Sequence, residues 1–212
     1  MVKLYLIRHG QSTANARDVF LGWHDLDLTE LGIKQAKITA SYLKNIPIDA
    51  IYSSDLTRAY HTAEQTAKLF KLPIITDKRL REINGGLWEE IVFNDLKEKF
   101  YDNFIAFTTD IGNAKIDGGE SVEELYYRFV NAVEDIAKQN DGKTICIFTH
   151  ATCVRCLGAH CLGKGLKDMQ SVEWPHNASV TEAEYDNGKF KLIKYGYDDF
   201  MKDNKSSLPD KF

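Results

Sequence analysis

The stretch Val2-Lys3-Leu4-Tyr5-Leu6-Ile7-Arg8-His9-Gly10 decides the fold. Its first six residues are apolar except for Lys3, and a short run of this kind indicates a strand buried inside a sheet. The run ends in an arginine, a histidine and a glycine. In open α/β sheets, ligands bind at the carboxyl ends of the strands, so these three residues mark a candidate site.

Outward from this stretch, short apolar runs alternate with helical patterns. Three further strands are predicted at 50–53, 73–76 and 144–149. Four helices are predicted. The first spans 30–43 with Thr29 as N-cap, and the second begins after a cap at Ser54 or Asp55. The third follows the capping box formed by Ser121 and Glu124, and the fourth spans about 152–162. The alternation predicts an α/β fold, a three-layer α/β/α sandwich around a mostly parallel sheet.

The end of the chain departs from that alternation. Residues 178–185 and 190–195 flank the turn Asp186-Asn187-Gly188, which predicts a hairpin and an antiparallel C-terminal edge. We expect one catalytic domain over 1–197 and a loose polar tail over 198–212. A less regular segment, 83–117, predicts a small cap insertion. Five of its aromatic residues favour a small core of their own over an apolar lid above a substrate, and they are Phe93, Phe100, Tyr101, Phe104 and Phe107.

Composition excludes several classes of protein. The chain has 212 residues and a formal net charge of -4, which does not favour nucleic acid or an acidic membrane surface as a partner. No apolar run approaches the roughly 18 residues of a membrane helix, and no signal peptide is recognisable. The four cysteines are crowded into 146–161. A disulfide scaffold would spread them, so we expect a reduced, cytoplasmic protein.

The predicted strand ends gather cationic and imidazole side chains. Arg8 and His9 follow the first strand, Arg58 lies one turn into the helix after the second, and His150 follows the fourth. Guanidinium groups match phosphate oxygens, and a neutral imidazole can attack phosphorus. The leaving alkoxide needs a proton, for which Glu82 is the best placed carboxylate. Glu30, Glu89 and Glu90 are the alternatives.

Six blocks of sequence follow one another in a recognisable order. They are Leu6-Ile7-Arg8-His9-Gly10-Gln11-Ser12-Thr13-Ala14-Asn15, Gly22-Trp23-His24-Asp25 with Leu28-Thr29-Glu30-Leu31-Gly32 and Gln35-Ala36, Ser53-Ser54-Asp55-Leu56-Thr57-Arg58-Ala59, Leu80-Arg81-Glu82 with Gly86-Leu87-Trp88-Glu89, Gly119-Glu120-Ser121, and Thr149-His150. Through these blocks the sequence resembles the histidine phosphatase superfamily, also called the phosphoglycerate mutase-like family, over nearly its whole length.

The resemblance implies a role for each site residue. His9 is then the nucleophile, and Glu82 is the proton donor that later activates water. The phosphoryl group is held by Arg8, Asn15, Arg58 and His150. No metal or other cofactor is implied. Two positions depart from the family pattern, since Gln11 stands where Glu is common and Glu90 stands where Gly is usual.

We therefore expect a phosphomonoester hydrolase acting through a phosphohistidine on a small phosphorylated metabolite, with its oligomeric state open. One alternative is a cofactor-dependent phosphoglycerate mutase, which would need extra arginines after Glu82, whereas 83–117 contains none. Another is a non-catalytic phosphate-binding regulator. A metal or redox site formed by His150, Cys153 and Cys156 with His160 and Cys161 is conceivable from the spacing but is less favoured.

Overall fold

A six-stranded sheet forms the centre of the molecule, whose residues 1–206 are described by a computed structural model. Its strands are β1 (Val2–Arg8), β2 (Ala50–Ser53), β3 (Ile74–Thr76), β4 (Thr144–Thr149), β5 (Val180–Asp186) and β6 (Lys189–Tyr197). The order is β3-β2-β4-β1-β5-β6. The first four strands are mutually parallel, while β5 and β6 form an antiparallel edge. The predicted sheet is confirmed.

Six α-helices accompany the sheet: α1 (Glu30–Leu43), α2 (Thr57–Phe70), α3 (Phe93–Lys99), α4 (Tyr101–Thr109), α5 (Val122–Lys138) and α6 (Ala151–Cys161). Short 3-10 turns lie at Asn15–Arg17, Lys78–Leu80, Gly86–Trp88, Ile111–Asn113, Met169–Ser171 and Asp199–Asn204. Alternate strand residues face opposite layers. Leu4 and Leu6 pack with α5 and α6, whereas Ile7 packs with α1 and α2.

The helix caps agree with the sequence in two cases and differ in one. The Thr29 side chain accepts from the backbone N–H of Gly32, and the capping box of Ser121 and Glu124 is complete. The expected side-chain cap of α2 at Ser54 or Asp55 is wrong. The N-cap residue is Leu56, which has no side-chain cap hydrogen bond. The Ser54 hydroxyl is directed toward the site instead, and the backbone N–H that it accepts from is that of Leu56 itself.

The hairpin turn is set by two residues with left-handed backbone. Asn187 has φ of 48° and Gly188 has φ of 77°. Positive φ at both central residues is the signature of the type I′ turn, whose twist matches that of the flanking strands. The Asn-Gly pair thus fixes the register of β5 on β6 and returns the chain to the edge of the sheet.

The chain after the hairpin differs from the loose tail that we expected. The Phe200 ring stacks on Tyr42 of α1 with centroids 4.3 Å apart, and Met201 is buried. The Gln35 side chain donates to the backbone oxygen of Asn204. Residues 198–206 are therefore packed against α1, because this polar segment contains apolar side chains that contact the helix. The rest of the expected tail, 207–212, lies outside the described residues.

None of the helices in residues 1–206 has the length and apolarity required to cross a membrane.

Candidate active site

The site forms where β1, β2 and β4 end. Arg8 of β1 lies in register with Thr149 of β4, so the following residues, His9 and His150, are neighbours with ring centroids 5.2 Å apart. A cavity opens above them, and five of the predicted site residues line it: Arg8, His9, Asn15, Arg58 and Glu82. His150 is fully buried beside His9. The structure thus brings together all six residues that the sequence singled out.

The His9 imidazole is held in one tautomer. Its Nδ1–H donates to the backbone oxygen of Gly10 at 2.7 Å, because a carbonyl oxygen can only accept. The other nitrogen, Nε2, therefore carries the lone pair. Burial lowers the pKa of His9 well below its usual 6.5, and the charges of Arg58 and Arg8 lower it further. At neutral pH the ring is therefore uncharged, and it presents a lone pair on Nε2.

The loop that holds His9 requires glycine at its turn. A Cβ on Gly10 would lie 2.5 Å from the backbone oxygen of Gly32 at the start of α1, too close for any side chain. The Gly10 N–H donates to the Thr62 hydroxyl of α2. Both contacts fix the carbonyl that orients His9.

The depressed pKa of His9 predicts an acid-sensitive fold. In the unfolded chain the ring gains a proton as the pH falls through 6.5, whereas in the folded protein it stays neutral to lower pH. The unfolded state therefore binds more protons, and stability falls below pH 6.5. We expect His9→Gln to reduce the slope of unfolding free energy against pH by up to about 1.4 kcal/mol per pH unit. Urea titrations between pH 7.5 and 5 measure this slope. An equal slope in His9→Gln and in the wild-type protein would contradict the assignment.

Two buried arginines face His9 without a carboxylate partner. Arg58 donates to the backbone oxygens of His24 and Gly22, and Arg8 donates to that of Pro175. Burial lowers the pKa of each to about 10, so both stay charged at neutral pH. Within residues 1–206, neither forms a salt bridge. Buried charges are normally paired, so this end of the cavity favours an anion.

His150 is positioned by Ser54, a residue whose role the sequence did not suggest. The His150 Nε2 lies 2.9 Å from the Ser54 hydroxyl oxygen. The His150 Nδ1 and the Arg8 Nε are buried and have no hydrogen-bond partner within residues 1–206. Burial lowers the pKa of His150 well below 6.5, with Arg58 adding to the effect. Orphaned buried polar atoms are rare and point to a ligand that satisfies them.

Glu82 is the carboxylate that lines the cavity. One of its oxygens accepts from the N–H of Ile83 at 2.9 Å, and the other accepts from Thr152 in the first turn of α6 at 3.2 Å. Its backbone oxygen accepts from Arg128, whose guanidinium is paired with Glu120. Hydrogen bonds to both carboxyl oxygens and to the backbone oxygen therefore fix the position of the Glu82 side chain.

The alternative carboxylates have other roles. Glu89 accepts from the backbone N–H groups of Gly22, Trp23 and Gly85, and so it joins two loops. Glu90 is exposed and lies 3.0 Å from the His24 ring. Its φ is 61°, a left-handed conformation that explains why glycine is usual there. Neither these two residues nor Glu30 lines the cavity.

Asn15 is oriented by its neighbours. Its Oδ1 accepts from the N–H and the hydroxyl of Ser12 and from the Nδ2 of Asn177. Asn177 was missed in the sequence, because an asparagine ahead of a hairpin carries no catalytic signal of its own.

The cysteines are core residues. Cys146, Cys153 and Cys156 are buried, Cys161 is partly buried, and all four are unpaired. Burial raises the pKa of each thiol. In residues 1–206, no cluster of three histidine, cysteine or acidic side chains is arranged to hold a metal ion.

The chain is similar in sequence and in fold to known proteins. The model of the histidine phosphatase superfamily, branch 1, matches residues 4–198. Phosphoserine phosphatase 1 of Hydrogenobacter thermophilus is 33% identical over 171 residues, which are 81% of each chain. A probable phosphoglycerate mutase, GpmB of Yersinia pestis, is 34% identical over 77% of this chain and 76% of its own. Among solved structures, Bacillus stearothermophilus YhfR has a TM-score of 0.91 and 30% identity, covering 95% of this chain and 100% of that one.

Proposed function

This chain belongs to branch 1 of the histidine phosphatase superfamily, and we propose that it hydrolyses phosphomonoesters of small metabolites through a phosphohistidine on His9. The observation that carries the proposal is the neutral His9, with its Nε2 lone pair open, between two buried arginines that lack a counter-ion. Phosphoryl transfer depends mostly on positioning and on compensating the charge of the transferred group, and this arrangement supplies both.

The first step forms the covalent intermediate. The Nε2 of His9 attacks phosphorus, the bond from phosphorus to the alcohol oxygen breaks, and Glu82 donates its proton to that oxygen. Arg8, Arg58 and the Asn15 amide hold the phosphoryl oxygens, and the orphaned Nδ1 of His150 completes the cradle.

The second step releases phosphate. A water molecule attacks phosphorus while Glu82 takes its proton, and the bond between phosphorus and Nε2 breaks. His9 returns to the neutral ring with its Nδ1–H still on Gly10, and Glu82 is again protonated. The same carboxyl group therefore acts once as acid and once as base.

Hydrolysis is favoured over transfer to a second phosphorylated substrate by the charge of the cavity wall. A mutase must hold a second anionic group, and the cap segment (83–117) contains no arginine. Among the described residues that line the cavity, the cations are Arg8 and Arg58, both at the phosphoryl end. The four unpaired cysteines support a reducing compartment, and we place the protein in the cytoplasm.

We expect hydrolysis of p-nitrophenyl phosphate at mildly acidic pH, with the same kcat in excess EDTA, because the site supplies its positive charge through Arg8 and Arg58. Release of p-nitrophenolate measures the rate. The mutase alternative is tested with 3-phosphoglycerate, with and without 2,3-bisphosphoglycerate. Interconversion of phosphoglycerates faster than phosphate release would contradict the proposal, as would a loss of activity in EDTA that added metal restores.

A further inference from the structure

The cavity has two chemically different halves. The phosphoryl end holds the polar residues described above. Apart from Thr152, the remainder of the lining is apolar and consists of Val19, Phe20, Leu21, Ile83, Phe93, Phe107, Ala151 and Trp174. Any alcohol portion of a substrate bound at His9 must lie against this second half.

The aromatic wall is held rigidly by ring contacts. Phe20 meets Phe93 edge to face at 5.8 Å, and it meets Phe107 in the same way at 6.0 Å. Phe107 in turn lies 6.0 Å from Trp174. Behind them, Trp88, Phe100 and Phe104 pack together in a small core. Phe93 and Phe107 also pack in this core, as we expected, and they line the cavity as well. Tyr101 is exposed, so the expectation that it belongs to this core was wrong.

The cations nearest the aromatic wall do not line the cavity. Arg155 lies behind Trp174, which covers its guanidinium at 4.1 Å, and it donates to the backbone oxygens of Val172 and Met169, while its Nη1 has no hydrogen-bond partner within residues 1–206. Arg81 is paired with Asp55. A carboxylate or second phosphate on the substrate would lose its hydration here and gain no opposite charge.

We propose that the physiological substrate is a phosphomonoester whose alcohol portion is uncharged and apolar, with an aromatic ring against Phe20, Phe93, Phe107 and Trp174. This rests on the proposed function. Burial of a ring supplies binding energy that remote parts of a substrate can spend on orienting the reacting group. Amphiphilic metabolites of this kind are favoured over phosphoserine and phosphoglycerates.

The experiment compares benzyl phosphate, glycerol phosphate and phosphoserine, none of which has an activated leaving group. We expect kcat/KM for benzyl phosphate to exceed that for glycerol phosphate by about tenfold or more, from ring burial. Phosphoserine should be poorer still. A preference for phosphoserine would overturn this inference and leave the proposed function standing. Absence of any His9-dependent turnover would overturn both.

A variant that introduces a positive charge into the aromatic wall makes the test more specific. Phe93→Arg puts a cation into the wall, and Tyr101→Arg puts the same cation on an exposed position of the same segment. We expect Phe93→Arg to lower the ratio of kcat/KM for benzyl phosphate over phosphoserine by about tenfold. Tyr101→Arg should leave this ratio unchanged. The ratio is measured within one preparation, so partial misfolding does not affect it. An unchanged ratio in Phe93→Arg would contradict the assignment of the wall.

A separate observation concerns Asn177, which is 2% exposed. Its Nδ2 lies 3.1 Å from the backbone oxygen of His9 and 3.1 Å from the Oδ1 of Asn15. Its Oδ1 accepts from the Ser206 hydroxyl. The His9 carbonyl can only accept, so the Asn177 NH₂ group must face the site. The Ser12 N–H can only donate, so the Asn15 oxygen must face away from the cavity.

We infer that Asn177 is a positioning residue that turns the Asn15 NH₂ group toward the phosphoryl oxygens. Asn177→Leu keeps the approximate shape and removes the donor without adding a charge, and should weaken binding of inorganic phosphate by about tenfold. In an Asn15→Ala background the same change should have little effect, because there is no amide left to orient. Ser206→Ala is the matched control, since the His9 carbonyl alone fixes the orientation of the Asn177 amide.

Titration calorimetry with inorganic phosphate measures all five affinities, of the wild type, the three variants of the cycle and Ser206→Ala, and does not depend on catalysis. Equal weakening by Asn177→Leu in both backgrounds would show a general structural role and overturn the inference. Thermal unfolding of each variant, measured in parallel, separates a loss of folded protein from a loss of affinity.

Discussion

Replacing His9 with alanine is expected to lower kcat for phosphomonoester hydrolysis by about a thousandfold or more, because the variant has no atom that can form the covalent intermediate. Phosphate binding should survive in part. Arg8 and Arg58 remain charged, and their backbone partners do not involve His9. The expected pattern is therefore a loss of turnover with retention of a phosphate site, as measured by steady-state kinetics and calorimetry.

Chemical trapping identifies the intermediate directly. Wild-type protein quenched during turnover should carry one phosphoryl group that is stable in base and lost in acid, as expected of a phosphoramidate. His9→Ala should carry none. His61→Ala is the matched control, since His61 is an exposed histidine that contacts Asp27. Labelling of His9→Ala at another residue, or retained turnover, would exclude the covalent mechanism.

The site was largely predictable because its residues follow strand ends. Parallel strands bring their carboxyl ends to one edge, so the positions of Arg8, His9 and His150 in the sequence sufficed to place them together. Arg58 follows the same logic, one turn into α2. The roles of Ser54 and Asn177 were not predictable. Both act through side-chain hydrogen bonds to residues more than 90 positions away in the chain, and no local pattern encodes such a contact.

The sheet and most helix boundaries followed from periodicity and caps, whereas the elements that depend on tertiary packing did not. The polar stretch after β6 was expected to be loose, and its order comes from Phe200 on Tyr42 and from Gln35 on Asn204. The cap segment (83–117) was ambiguous for a related reason. Its aromatic residues pack among themselves and also face the cavity, and composition alone cannot divide them between these roles.

Glu82→Gln is expected to have an effect that depends on the leaving group. An alkoxide leaves only with a proton, so hydrolysis of benzyl phosphate should slow by about 10²- to 10⁴-fold. The p-nitrophenolate ion leaves without one, so p-nitrophenyl phosphate should still phosphorylate His9. Breakdown of the phosphohistidine remains slow, since Glu82 also activates water.

The expected signature is a burst of p-nitrophenolate, about one equivalent per active site, followed by slow turnover, and stopped-flow absorbance measures it. Benzyl phosphate should give no burst.

Glu82→Ala serves as a second variant, because the glutamine amide can accept only one of the two N–H groups now bound by the carboxylate. Glu90→Gln, an exposed carboxylate near the same loops, should behave as wild type. Equal slowing of both substrates without a burst would assign the proton to another group. A burst confined to the activated ester assigns Glu82 a role in both steps of the reaction. Only a group that acts as the acid when the phosphohistidine forms, and as the base when it is hydrolysed, separates the two substrates in this way.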